Sequence, residues 1–259
     1  MKTSAEKPRI LITNDDGIHA EGIVALENAL REIGDVFVVA PVSEMSGASH
    51  SLTLSRPLRI RQIDERHWTV DGTPTDCVTL ALNRILTDEQ RPHICASGIN
   101  HGENMGDDAT YSGTVAGALE AAILGVPGLA FSLVAGRNYD FTEAAKIAGQ
   151  ITAKAIKEGL PPDTLLNVNV PKGAPRGIRV TKQGFKNARP VISEHRDPRG
   201  KLYYWIGEER SGFHSDEEGG TDFEAIAENF VSLTPMRSDL TNHQAIEILK
   251  DWNTVDFRF

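Results

Sequence analysis

Arg9-Ile-Leu-Ile-Thr-Asn-Asp-Asp-Gly17 decides how this chain is read. Ile10 to Ile12 form an unbroken apolar run with no polar face. Residues 9–14 therefore read as a strand buried on both sides. Downstream, Ile23, Leu26, Leu30 and Ile33 recur at helical spacing, and Gly34 ends the stripe. A second apolar run, residues 36–42, follows. Strand, helix and strand in succession imply parallel pairing, because a parallel return needs a crossover long enough to hold a helix.

The alternation continues outward from this unit. Asp71-Gly-Thr-Pro74 reads as a turn, and Thr75 is placed to cap a helix carrying Val78, Leu82 and Ile85. Residues 93–97 read as a third strand. Ser112 or Thr114 opens a helix with Val115, Leu119, Ala122 and Ile123 inward. Residues 129–134 form the next strand, and Thr142 is placed to cap a helix reaching about Glu158. Residues 165–170 and 178–181 complete the strands. The expected class is α/β, a doubly wound parallel sheet with right-handed crossovers, whose ligands bind beyond the carboxyl ends of the strands. Residues 185–220 break the pattern. They hold Asp197-Pro-Arg-Gly200, then Tyr203, Tyr204 and Trp205, then an acidic glycine-rich loop through Gly220. We expect a projecting β-hairpin there, and an aromatic hairpin of this kind points to a contact between copies.

Composition narrows the function classes. Of 259 residues, 40% are hydrophobic and 24% charged, as in a packed globule. No run approaches the ~18 apolar residues of a membrane span, and residues 1–8 do not resemble a secretory signal. Cys77 and Cys95 read as two buried thiols in a reducing cytoplasm rather than a disulfide framework. The net charge of −9 provides no general attraction for nucleic acid or anionic lipid, so neither is an expected partner. Handling a phosphate would require the field to be inverted locally, by a cation or a helix N-terminus.

Four loops at the expected ligand edge carry the chemistry. Asp15 and Asp16 are adjacent carboxylates at a strand end, which demand either a raised pKa or a cation. Oxygen ligands suit Mg²⁺ or Mn²⁺; the plain alternative is a helix cap beside a surface acid. Ser43-Glu-Met-Ser-Gly-Ala-Ser-His50 can complete a metal shell or approach a phosphate, or be an ordinary loop. Ser97-Gly-Ile-Asn100, continuing as His101-Gly-Glu-Asn104, offers amide oxygens from Asn100 and Asn104, with His101 either a proton donor or a surface histidine. Tyr111-Ser-Gly-Thr114 leads into a helix, where hydroxyls and free N–H groups form an anion cradle or simply a cap. There is no GxGxxG in the first βα turn, so a dinucleotide site has little support. The run DxDx[TV] is absent as well, which disfavours a haloacid-type phosphatase. Convergence of the four loops on one edge suits metal-assisted hydrolysis of a phosphate ester.

The chain also resembles the SurE family of stationary-phase survival proteins, which are 5'/3'-nucleotidases. The match includes Asn14-Asp-Asp-Gly17 with Gly22, Ala40-Pro41, Ser46-Gly-Ala-Ser49, Ser51-Leu-Thr-Leu54, Asp71-Gly-Thr-Pro74 and Asp76-Cys-Val78. It continues through Ser97-Gly-Ile-Asn100, Asn104-Met-Gly-Asp107, Tyr111-Ser-Gly-Thr-Val115, Asn167-Val-Asn169, Gly220-Thr-Asp222, Val231-Ser-Leu-Thr-Pro235 and Asp239-Leu-Thr241. The resemblance implies a Rossmann-like sheet sandwiched by helices over residues 1–184, with a hairpin and C-terminal exchange segment over residues 185–259. It implies one divalent cation per subunit, held by Asp15, Asp16, Ser46 and Asn100. A phosphate site is implied near Asn104 and Ser112, Gly113 and Thr114, with nucleoside monophosphates as substrates. It further implies a homodimer that exchanges C-terminal segments around Trp252 to Phe259, and a homotetramer formed through the hairpin. Two positions depart from the family pattern. Met45, preceded by Glu44, stands where a polar or basic residue is common, which bears on substrate affinity. His101 is bulkier than the residue expected after Asn100. Asp15 or Asp16 would orient the attacking water or attack phosphorus directly. Asp222 and His101 are the candidates for protonating the leaving oxygen. The rival readings are a nucleotide-sensing module without turnover and a structural oligomer.

Overall fold

The computed structural model describes residues 7–134, 136, 139–214 and 219–252. In chain order the strands are β1 (Arg9–Thr13), β2 (Asp35–Pro41), β3 (Ile60–Gln62), β4 (His67–Val70), β5 (Ile94–His101), β6 (Gly128–Leu133), β7 (Leu165–Val170), β8 (Ile178–Val180), β9 (Phe185–Arg196), β10 (Leu202–His214) and β11 (Val231–Met236). The α-helices are α1 (Glu21–Arg31), α2 (Pro74–Leu80), α3 (Gly113–Ile123), α4 (Thr142–Glu158), α5 (Asp222–Ala227) and α6 (His243–Ile248). The main sheet runs β3-β4-β2-β1-β5-β6-β7-β11-β8. From β4 to β7 every neighbouring pair is parallel. Two joins are antiparallel, β3 with β4 and β11 with β7. The fold is therefore α/β with a mostly parallel sheet. Sequence pattern missed β3, β4 and β11, which are short and lack a period long enough to register; β11 even holds Pro235.

The unbroken apolar run of β1 is explained by its position. Ile10 and Ile12 pack with Ile23, Leu26 and Leu30 of α1 and Ile147, Ala148 and Ile151 of α4. Leu11 points the other way, among Val39, Val78 of α2 and Cys95. A side chain alternating between two covered faces must be apolar at every position. Truncating Leu11, fully buried, to alanine would cost about 2–5 kcal/mol. Cys77 and Cys95 are buried free thiols as expected, and burial pushes the Cys95 thiol up to about 12.

Two helix caps differ from the sequence reading. Thr73, not Thr75, caps α2: its hydroxyl accepts the Asp76 N–H, and Asp76 returns the bond to the Thr73 N–H. The cap must stand outside the helix three residues before an acid, and Pro74 presets the first helical φ; Thr75 lies one turn position too deep. At α4 the cap position is Phe141, without a side-chain bond, and Asp140 accepts the Thr142 N–H at 3.0 Å. At α3, of the two expected residues Ser112 is the cap, its Oγ accepting the Val115 N–H at 3.1 Å, and Thr114 lies inside the helix.

The hairpin appears where expected. β9 and β10 pair antiparallel as a separate two-stranded sheet. Asp197 closes its turn, its carboxylate accepting the N–H groups of Arg199 and Lys201. Tyr204, Trp205 and Ile206 are exposed. The acidic part of the following loop, residues 215–218, and the end of the expected exchange segment, residues 253–259, lie outside the described residues. Among the described residues no helix is long and apolar enough to cross a membrane.

Candidate active site at the carboxyl edge of the sheet

The strand order reverses at β1. The chain leaves it for β2 on one side, and β5 lies on the other. In a doubly wound sheet the loops diverge at such a point and open a crevice beyond the strand ends. The loop after β1 carries Asp15 and Asp16; the far end of β5 carries Asn100 and His101.

Asp15 is 5% exposed. The Thr114 hydroxyl donates to its Oδ1. A Cβ on Gly113 would stand 2.7 Å from the Asp15 Cβ, so only glycine lets the start of α3 come this close. Burial pushes the Asp15 carboxyl up to about 6 against the lowering effect of the Thr114 bond, and the neighbouring Asp16 charge adds to the rise. Gly17, at φ +96°, turns the chain behind the pair, and Asn14 closes that turn by donating from Nδ2 to the Gly17 carbonyl at 2.9 Å. Asp16 accepts a hydrogen bond from His101 Nδ1 at 2.9 Å.

The loop after β2 is tied to this pair through its backbone, the Met45 N–H donating to the Asp15 carbonyl at 2.7 Å. Ser46 donates its hydroxyl proton to Glu44 at 2.7 Å, which leaves its oxygen lone pairs for a cation. Asn100 donates from Nδ2 to the Gly102 carbonyl at 2.9 Å, which fixes the amide and leaves Oδ1 as the acceptor. Asn14 Oδ1 is buried without a partner among the described residues. Two carboxylates, a hydroxyl and an amide oxygen form a hard-oxygen set of the kind Mg²⁺ or Mn²⁺ takes. The raised Asp15 carboxyl beside Asp16 is what such a cation would relieve, so the residues fit it. Among the described residues no three His, Cys, Asp or Glu side chains gather as a metal-holding group; the set is two acids completed by neutral donors.

The remaining candidates divide. Ser112 caps α3 through its Oγ. Thr114 is fully buried, and its hydroxyl and its backbone N–H both bear on Asp15. Asn104 is 7% exposed and held on every side: its N–H donates to Asn169 Oδ1 at 2.8 Å, its Nδ2 to Ser132 at 2.8 Å, and its carbonyl accepts from Asn167 at 2.7 Å. Asp222 is not placed to donate a proton. It is fully buried, and its carboxylate accepts the N–H groups of Gly106, Gly184 and Phe223 at 2.9, 3.0 and 2.9 Å. Its task is to bolt the Asn104–Gly106 loop to the hairpin root.

The pairings that pin the Ser46 loop have no signal in the sequence. Ser49 bonds to the carbonyls of Tyr111 and Thr110 through N–H and hydroxyl. Thr53 donates its N–H and hydroxyl to Asp76, and His50 meets Glu120 at 2.8 Å. Thr53 and Asp76 had been visible within two of the matching motifs, but their pairing across 23 residues had no local signal.

Comparison with known proteins identifies the family. A family model described as survival protein SurE matches residues 10–190. The chain is 47% identical to the 5'-nucleotidase SurE of Myxococcus xanthus over 256 residues, covering 98% of this chain and 97% of that protein. It is 46% identical to the 5'-nucleotidase SurE of Aquifex aeolicus, covering 94% and 97%. The crystal structure of the Aquifex aeolicus SurE protein superposes with a TM-score of 0.83 at 46% identity, covering 95% of this chain and 99% of that one. With the acids, the neutral oxygen donors and the start of α3 gathered at one strand-order reversal, the chain belongs to the SurE survival-protein family.

Proposed function

We propose that this chain is a 5'-nucleotidase that hydrolyses nucleoside 5'-monophosphates, and 3'-monophosphates, to nucleoside and phosphate with one divalent cation, Mg²⁺ or Mn²⁺, per subunit. The supporting observation is the buried Asp15 carboxyl beside Asp16, with Ser46 and Asn100 each bonded so that an oxygen is left free. The relatives named 5'-nucleotidase supply the substrate class. Asp15, Asp16, Ser46 and Asn100 would hold the cation, which would supply charge neutralisation at the phosphoryl group. Thr114 holds Asp15 in place. Asp16, whose side chain is 15% exposed, is the more accessible acid and orients the attacking water. At the start of α3 the Gly113 N–H, the Ser112 hydroxyl and the positive helix end face the phosphoryl oxygens, while Thr114 and Asn104 shape that site through the bonds they already make to Asp15 and to Asn169 and Ser132. Residues 1–184 form the catalytic core in this reading, and residues 185–259 serve assembly into a cytoplasmic homodimer and, through the hairpin, a homotetramer.

Phosphate release from a panel of nucleoside monophosphates tests the proposal, first with EDTA and then with added Mg²⁺ or Mn²⁺. Activity lost with chelator and restored by metal is the expected result, and Asp16→Ala should reduce it to background. Nucleotide binding without release under either metal would establish the sensing module instead. Near-normal turnover in Asp16→Ala with metal still bound would defeat the assignment.

A further inference from the structure

We propose that His101 is a positioning residue for Asp16: it presents one carboxylate oxygen of a cation ligand while its own ring is braced by Tyr139 and Phe141. The inference rests on the cation site proposed above and deepens it. Asp16 Oδ2 lies 2.9 Å from His101 Nδ1. An ionised carboxylate only accepts, so Nδ1 carries the hydrogen of this bond. One oxygen of Asp16 is thereby engaged, and the other is left for a cation. Without the donor, Asp16 would rotate freely beside the like charge of Asp15.

A positioning donor must itself be held. The His101 ring meets Tyr139 edge-on at 4.8 Å and 74°, and Phe141 edge-on at 4.8 Å and 78°. Tyr139 and Phe141 stack on each other at 5.8 Å and 10°. Edge-to-face packing of this kind fixes the plane of a ring. Phe141 is 5% exposed and stands at the start of α4. On the other side, α1 packs so closely that a Cβ on Gly22 would lie 3.3 Å from the Phe141 ring. Rigidity thus passes from the α1–α4 layer through Phe141 to His101 and on to Asp16. Because His101 directly follows Asn100, one strand end carries both a proposed ligand and the residue that orients another.

Partners that orient metal ligands typically contribute 10–100-fold in metal affinity. The experiment titrates metal-free protein with Mn²⁺ and follows free Mn²⁺ by electron paramagnetic resonance, a readout independent of turnover. Four proteins are compared: the unaltered chain, Asp16→Ala, His101→Phe and His101→Asn. His101→Phe keeps a ring in the aromatic cluster but removes the N–H donor, and it should weaken Mn²⁺ binding about 10–100-fold. His101→Asn places an amide N–H near the former Nδ1 and should recover most of the loss. Wild-type affinity in His101→Phe, with binding lost in Asp16→Ala, would overturn this inference and leave the cation site standing. Equal weakening in both His101 variants would also overturn it, by pointing to ring packing rather than the hydrogen bond. Absence of saturable Mn²⁺ binding in the unaltered chain would overturn the cation site itself, and this inference with it.

Discussion

Gly113→Ala is the substitution whose outcome the structure specifies most sharply. Two effects oppose. Alanine is a better helix former than glycine, worth at most about 1 kcal/mol. Against this, the added Cβ would lie 2.7 Å from the Asp15 Cβ and 2.9 Å from its Oδ2. Carbon atoms sit comfortably at about 3.5–4.0 Å, so something must move by close to an ångström. Asp15 is 5% exposed and tethered by Thr114, and its backbone carbonyl holds the Met45 N–H. It has no room to retreat, and overpacking of this kind costs about 1–3 kcal/mol. Thermal melting of the metal-free protein should fall by roughly 2–4 °C per kcal/mol for a chain of this size. Phosphate release should fall further, on the order of 100-fold, because a displaced catalytic ligand loses alignment. Gly149→Ala is the internal control. Gly149 lies within α4, where a Cβ would meet only Ala29 atoms at 3.8 and 3.9 Å, ordinary contact distances. That variant should be stabilised by about 0.5–1 kcal/mol with unchanged activity. If Gly113→Ala were as stable and active as Gly149→Ala, the close approach of α3 to Asp15, and the site built on it, would be refuted.

Other consequences are open to simpler assays. Protons compete with a cation for Asp15, whose folded carboxyl titrates near 6, so Mn²⁺ affinity should fall as pH drops through about 6; affinity flat from pH 7 to 5 would contradict this. In the metal-free chain the sign is opposite to that of a typical salt-bridged acid. The Asp15 carboxyl is raised from 3.8 to about 6, so its contribution to stability is fully present below about 4 and withdrawn as pH rises to about 6; melting of Asp15→Asn against the unaltered chain across that window measures it. Thr114→Val removes a bond that lowers the Asp15 carboxyl, so the midpoint of the pH dependence of Mn²⁺ binding should move upward, with a stability loss of about 1–3 kcal/mol. Ile206→Asp places a charge at an 80% exposed apolar position of the hairpin and should lower the mass measured by light scattering; an unchanged mass would count against the hairpin as a contact.

Local features were legible in the chain because they are set by neighbours. The two-sided burial of β1, the apolar stripe of α1, the Ser112 cap and the hairpin each depend on periodicity or on residues within a few positions. The four candidate loops were legible for the same reason, since strand ends mark where a ligand edge must lie. Thr73 was overlooked as a cap because Thr75 competes within the same short turn, and only the returned bond from Asp76 separates them. β11 was overlooked because its alternation runs only from Val231 to Thr234 before Pro235 interrupts it.

By itself, then, the sequence determined that the chain is α/β and which candidate acids and amides stand at one edge of the sheet. Those properties follow from side-chain polarity and spacing. Tertiary structure decided what each residue does once there. Asp222, a candidate acid by sequence, is consumed by three backbone N–H groups. Thr114 serves Asp15 from 99 positions away, and His101 serves Asp16 from 85. Such assignments depend on a few ångströms between segments remote in sequence, and only the packing of α1, α3 and α4 against the sheet sets those distances.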